Sequence, residues 1–433
     1  VFEFLVTFLL LVKIDIVLRI FLLFLIFLNY LFIKQEYYFD GKRLMTNQKY
    51  ISKIILLSFF VLFLAKIFKY DYLIGYWLTN YKYGFIRRGL FGHFLSIIHN
   101  FFHIPIPFLI NIFLVLTYSI LIYYVYFFFN KKSRSLEGYY ILLSPTFLFF
   151  LIYDEGVLGR PEILGIITFL YFLKNFEMHN NTYLYSSVFL SISIFTHSIN
   201  ILVLPFLIYI LIKRFGYKKL INYYVIILFL VITASFLSLI FLIQSNLDNT
   251  DNIVSNLCSD AESLNLREDI CNGAISYLSQ KNNSLLDMRF FWSDKNQIYY
   301  STYFILIILA LFPFEKNFWK ESKLYLILLI FISHMPIYFI AIDWGRFIWI
   351  YVFIISVIYL NDYEPKYEYN TKLNFFVLCF YSTVWYLPVA RGLRQDNIFT
   401  NIQIRTLMPI IFMSIIFYYS RSNFHKNKRN KIN

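Results

Sequence analysis

Apolar stretches about as long as a membrane is wide recur along this chain, each closed by a short polar turn. Ile104–Phe129, Ile221–Ile243 and Leu324–Ile342 match the roughly 20 apolar residues that carry a helix across a hydrocarbon core. Within lipid every backbone donor and acceptor must be paired inside the protein, and a helix pairs them within itself. The pattern therefore predicts an all-α, polytopic integral membrane protein. Of 433 residues 59% are hydrophobic and only 15% charged, a balance no soluble domain needs. Counting runs from Met45 gives about 12 transmembrane helices, and one more in the first segment gives about 13.

Residues 1–44 read in two ways. Either Ile16–Ile33 is a first span, or the stretch is an upstream extension before Met45, whose basic flank opens the span Ile51–Phe68. No small-residue cleavage site follows the apolar run, so a cleaved signal peptide is not expected. Residues 45–243 then hold transmembrane helices with outer loops at 69–103 and 154–162. Residues 244–297 form one long external loop, too long for a bare connector and readable as a lid. Residues 298–420 return to the membrane, and 421–433 are a basic tail.

Orientation follows from lysine-rich short loops, which stay in the cytoplasm. Lys131–Lys132, Lys213–Lys219, Lys316–Lys323 and the tail belong there, so the C-terminus is cytoplasmic. Alternation puts Lys69–His103, Asp154–Glu162, Thr196–Ser198, Gln244–Gln297, Asp343–Arg346 and Ala390–Thr400 outside. The net charge of +14 is thus accounted for by orientation, and no RNA-binding signature or Walker-type loop accompanies it. No nucleic-acid partner is expected. Lysine dominates the inner segments and arginine the outer ones, a segregation by type that the charge rule does not require. Arginine's rigid fork grips phosphate oxygens at two points, whereas lysine is a hydrated point charge.

The outer turns carry the candidate chemistry. Asp343-Trp344-Gly345-Arg346 lies between two apolar runs, where ionisable groups are expensive and usually functional; the bland alternative is a cap and a snorkelling arginine. Arg87-Arg88-Gly89 sits among Tyr76, Trp77, Tyr81 and Tyr83, and reads as an anion grip or as headgroup contact. Asp154, Glu155, Arg160 and Glu162 form the densest ionisable cluster, suited to a general base, a sugar-hydroxyl clamp or a metal site, or else a solvated turn. His197 is a proton carrier or a hydrogen-bonded turn residue. Arg391 and Arg394 repeat the outward arginine theme, and His334 beside Pro336 reads as structural. Cys258 and Cys271 share the long loop and pair as a disulfide in an oxidising compartment, or else remain thiols. No spacing fixes a metal, and no cofactor is called for.

Tyr83–Gly92 with its Arg-Arg-Gly, the Gly159-Arg160-x-Glu162 turn and Asp343-Trp344-Gly345-Arg346 resemble features of membrane proteins from bacterial surface-polysaccharide clusters. The architecture is similar to O-antigen or capsule repeat-unit polymerases of the Wzy type. That resemblance implies a glycosyltransferase-like polymerase in the bacterial inner (cytoplasmic) membrane. It implies transfer of a glycan from one undecaprenyl pyrophosphate carrier to another on the outer face, with membrane lipid and a chain-length regulator protein as partners. Arg87, Arg88, Arg160, Arg346, Arg391 and Arg394 would engage the pyrophosphate and glycan. Asp343, Glu162 or Asp154 would be the general base, and His197 a further catalytic group. An acidic residue is expected after that histidine, and Ser198 stands there instead.

Two other readings compete. A GT-C-type glycosyltransferase using a polyprenyl-phosphate-linked sugar would carry an acidic pair in its first large outer loop, where this chain has Asp71 and two arginines. A polysaccharide transporter or flippase would line the midplane of its spans with polar residues, whereas here charges gather at one face.

Overall fold

A computed structural model of the chain describes residues 53–64 (without 54, 55 and 58), 74–131 (without 87) and 138–153 (without 139, 140, 143, 145, 146 and 149). It also describes 158–216 (without 178 and 180), 222–263 (without 246–248), 324–362 (without 341–343) and the single positions 271, 275, 278 and 318. These residues are helical with turns between, and there is no strand among them.

The longer helices among the described residues are α1 (Leu90–Phe102), α2 (Ile106–Lys131), α3 (Glu162–Asn175), α4 (Asn181–Thr196), α5 (Leu204–Phe215), α6 (Tyr223–Ser245), α7 (Thr250–Ser263), α8 (Leu324–Ile340) and α9 (Trp344–Asp362). A 3₁₀ turn, Ser198–Val203, leads directly into α5. Three stretches are long and apolar enough to cross a membrane: Ile106–Asn130, Ser198–Phe215 and Tyr224–Ser245. The 69–103 segment, expected as an outer loop, contains a helical turn at Gly75–Leu78 and the whole of α1.

Helix α9 is the core. Every side chain from Phe347 to Leu360 is buried. A helix that is apolar all round belongs inside other helices. Its indole Trp349 donates through Nε1 to the Phe147 carbonyl at 2.8 Å, and Tyr351 Oη donates to the Ile327 carbonyl at 3.0 Å. The Phe353 ring stacks on Phe147 with centroids 4.6 Å apart.

Contacts at both ends show that α3, α5 and α9 run parallel. At their starts, Arg346 of α9 meets Glu162 of α3, and His197, which caps the 3₁₀ turn before α5, meets the same carboxylate. At their ends, Asp362 of α9 binds Lys213 Nζ at 2.9 Å and Arg214 Nη2 at 2.6 Å, both in the last turn of α5. Arg214 also reaches Glu177, just beyond α3, at 3.6 Å. Helix α2 runs the same way: Tyr118 touches the turn before α3, and Lys174 near the end of α3 donates to Tyr123 at 2.7 Å. From Arg346 to Asp362, at 1.5 Å per residue, the two charged layers lie about 24 Å apart, close to a hydrocarbon thickness.

Candidate functional site

The turn before α3 is built by Gly159, whose φ of 76° is the left-handed conformation that glycine adopts without cost. Its two buried polar groups are both satisfied by side chains. The Gly159 N–H donates to Tyr118 Oη at 2.7 Å, and its carbonyl accepts from Trp77 Nε1 at 2.6 Å. Pro161 follows with φ −65° and opens α3. The Asn200 amide donates to the Pro161 carbonyl at 3.3 Å and to the Ser193 carbonyl at 2.8 Å, tying α4 to this turn. Gly165 makes room for it, since a Cβ there would lie 2.5 Å from Asn200 Oδ1. The result is a carboxylate, Glu162, placed at the first residue of a helix, where the dipole favours negative charge.

Glu162 is only 2% exposed. Arg346 Nη1 lies 2.8 Å from its Oε1, and His197 Nε2 lies 3.7 Å from the same atom. His197 is itself extended, and its Nδ1 accepts from the Ile199 N–H at 3.4 Å. That bond leaves the ring proton on Nε2, facing the carboxylate. For a buried carboxylate between a guanidinium and an imidazole, the pairing offsets part of the desolvation cost. Arg160, two residues earlier, stacks its guanidinium on the Tyr76 ring at 4.6 Å.

Sequence picked out Glu162, His197 and Arg346 as three separate turns, and the fold brings them to one carboxylate oxygen. Arg346 stands inside the first turn of α9, not in an interhelical turn. Arg88 sits at the same end, with φ 73°, a strained conformation for a non-glycine residue. Its neighbour Gly89 lies under the Tyr81 ring, where a Cβ would overlap Tyr81 Cε1. Burial pushes the Tyr81 phenol above its ordinary range. Asp343, Asp154, Arg87, Arg391 and Arg394 lie outside the described residues.

Four supports escaped the sequence reading: Tyr76, Trp77, Tyr118 and Asn200. Tyr76 and Trp77 look like interfacial rings but are buried. Tyr118 is one tyrosine within a long apolar run. Asn200 gave the only usable signal, an amide just inside an apolar run. His334 is fully buried; its Nδ1 donates to the Ile330 carbonyl at 2.7 Å, and its ring packs against Phe206 and Tyr351.

Helix α7 contributes to the same end. Cys258 and Cys271 are joined as a disulfide, Cα atoms 5.5 Å apart. In α7, Asp260 accepts from Lys82 Nζ at 3.0 Å and from Tyr83 Oη at 2.7 Å. This fastens α7 to the loop that holds Arg88. Among the described residues, no three of His, Cys, Asp and Glu gather as a metal site.

No family model matches the chain, and neither does any curated protein or solved structure.

Proposed function

We propose that this chain is a polytopic membrane transferase of about 12 spans in the bacterial inner membrane. It polymerises lipid-linked oligosaccharide repeat units on the outer face, as an O-antigen or capsule polymerase does. The observation that carries the reading is the buried Arg346–Glu162–His197 cluster, with Arg160 beside it, where α3, α5 and α9 all begin. Helix N-termini and guanidinium groups both favour a polyanion. Two features favour an outward-facing site. The disulfide-bonded loop lies at the site end, and Lys131, Lys174, Lys213 and Arg214 lie at the other.

In this reading an acceptor hydroxyl oxygen attacks the anomeric carbon of the donor glycan. The anomeric C–O bond breaks, and undecaprenyl pyrophosphate leaves with the electron pair. Arg346, held rigid by Glu162, and Arg160 stabilise the leaving charge. Because Glu162 is engaged by Arg346, it orients that arginine, and Asp343 or Asp154 takes the hydroxyl proton. His197 steadies Glu162 from the other side. The test is deletion of the gene. Carrier lipid bearing single repeat units on the outer face is expected to accumulate. Normal long-chain polysaccharide would sink the reading, and repeat units trapped on the inner face would point to a flippase.

A further inference from the structure

Helix α1 has three faces where a soluble surface helix has two. Gly92 and Leu95 are buried against the protein. A Cβ on Gly92 would overlap the Thr79 carbonyl and lie 2.6 Å from that of Trp77, so α1 rests directly on the Gly75–Leu78 turn. A second stripe is polar, with His93, Ser96 and Asn100 at spacings of three and four residues. The third is apolar and open: Phe94, Ile97 and Phe101 follow the same spacing one residue later, about 100° round the helix. Phe101 is 77% exposed and Phe94 and Ile97 are each 54% exposed. Water on that stripe would cost most of what burial of these side chains gains.

The open stripe does not stop at the end of α1. His103, at φ 55°, ends the helix and passes the chain through Ile104 and Pro105 into α2. There Phe108, Ile112 and Leu116 continue an exposed apolar lane along a helix long enough to span. On a spanning helix such a lane faces lipid. Helix α1, with 13 residues, is about 20 Å long and cannot cross on its own. Short helices with a polar and an apolar free face lie along the membrane surface, the apolar one sunk among the acyl chains.

We propose that α1 is an interfacial helix in the leaflet at the site end, with Phe94, Ile97 and Phe101 against lipid acyl chains and Asn100 toward the headgroups. The inference rests on the chain being embedded in a membrane but not on the glycan chemistry. It sets the depth of the site. Arg88, two residues before α1, is held at phosphate level, where a lipid-borne pyrophosphate and a phospholipid headgroup present the same chemistry.

The experiment places photoreactive p-benzoylphenylalanine in the full chain at Phe101 or Ile97, with Leu116 as spanning-helix reference and Asn100 as polar-stripe reference. Each variant is reconstituted in vesicles of phosphatidylethanolamine and phosphatidylglycerol, irradiated and analysed for adducts by mass. Phospholipid adducts at 101 and 97 are expected at no less than about half the Leu116 yield, and well above Asn100. Yields below that level overturn the proposal, as do adducts to a second polypeptide copy. Absence of lipid adducts at Leu116 as well would remove the membrane embedding itself. Loss of polysaccharide synthesis in a deletion strain bears on neither outcome.

Discussion

Glu162 and Arg346 make each other tolerable, and neither is tolerable alone. Removing one partner of a buried pair leaves an uncompensated charge, at a cost of about 3–5 kcal/mol. Glu162→Ala should therefore lower thermal stability in detergent sharply. The double variant Glu162→Leu/Arg346→Met, with the charge gone from both sides, should regain most of it while remaining inactive. A double variant as unstable as the single one would show that the pair is not what the fold depends on. The residues of this cluster were visible in the sequence because charge is rare in apolar runs. Their meeting was not visible, because nothing local in the chain says that three turns from 160 to 346 converge. The same limit hid the pairing of Glu162, because a carboxylate in a polar turn gives no sign of a guanidinium 2.8 Å away. Tyr118 and Trp77 were hidden for another reason: an aromatic in an apolar run carries no mark of where its polar atom points. Tyr118→Phe should cost about 1–3 kcal/mol, since it strands the buried Gly159 donor. An unchanged melting temperature would mean that water or another group replaces the phenol.

At the scale of elements, three described stretches reach spanning length, whereas Leu324–Ile340, expected as a full span, is not among them. Long runs such as Ile106–Lys131 and Tyr223–Ser245 form helices long and apolar enough to cross a membrane, and a helix pairs its backbone groups within itself. Helix α1 was passed over as loop because its histidines and serine break the run, although its 3.6-residue period is plain once written on a wheel. Helix α7 buries Ile253, Val254, Leu257 and Ala261, and two further fastenings hold it. The disulfide closes a loop of about 14 residues, worth roughly 3 kcal/mol by chain entropy. The clamp to Lys82 is exposed and weak. The Tyr83 hydroxyl, and then Asp260, raise the Lys82 ammonium above its ordinary value. A raised lysine contributes stability that is complete below its unfolded pKa of about 10.4 and is lost only as pH climbs through the folded value. Amide exchange in α7, corrected for intrinsic rates, should thus be flat with pH near neutrality and faster at about 1 M salt than at 0.1 M. Reduction of the disulfide should speed it much further. A transition near pH 6 or 7 would mean that a histidine, not Lys82, governs the docking.

Among the described residues, two charged layers lie about 24 Å apart with apolar helix between them. One layer holds Arg160, Glu162, His197 and Arg346; the other holds Lys213, Arg214 and Asp362. Both are ion-pair layers, so Coulomb energy alone does not distinguish them. Chemistry does. In the second layer Lys213 also lies 5.5 Å from the Phe318 ring centroid, and a cation of either type satisfies such contacts. In the first, Arg346 is held by one carboxylate, and in the proposed function its planar fork binds phosphate oxygens in two places. Lys213→Arg should therefore leave insertion and polysaccharide synthesis unchanged. Arg346→Lys keeps the charge and the pairing with Glu162 but loses the fork, so synthesis should fall at least about a hundredfold while the protein still reaches the membrane. Chain length on gels, normalised to membrane-inserted protein, reads both. If Arg346→Lys keeps half its activity, the arginine supplies charge alone, and a grip on a pyrophosphate loses its support. If Lys213→Arg is as damaging as Arg346→Lys, the difference between the layers is one of packing, and the site must be sought elsewhere in the chain.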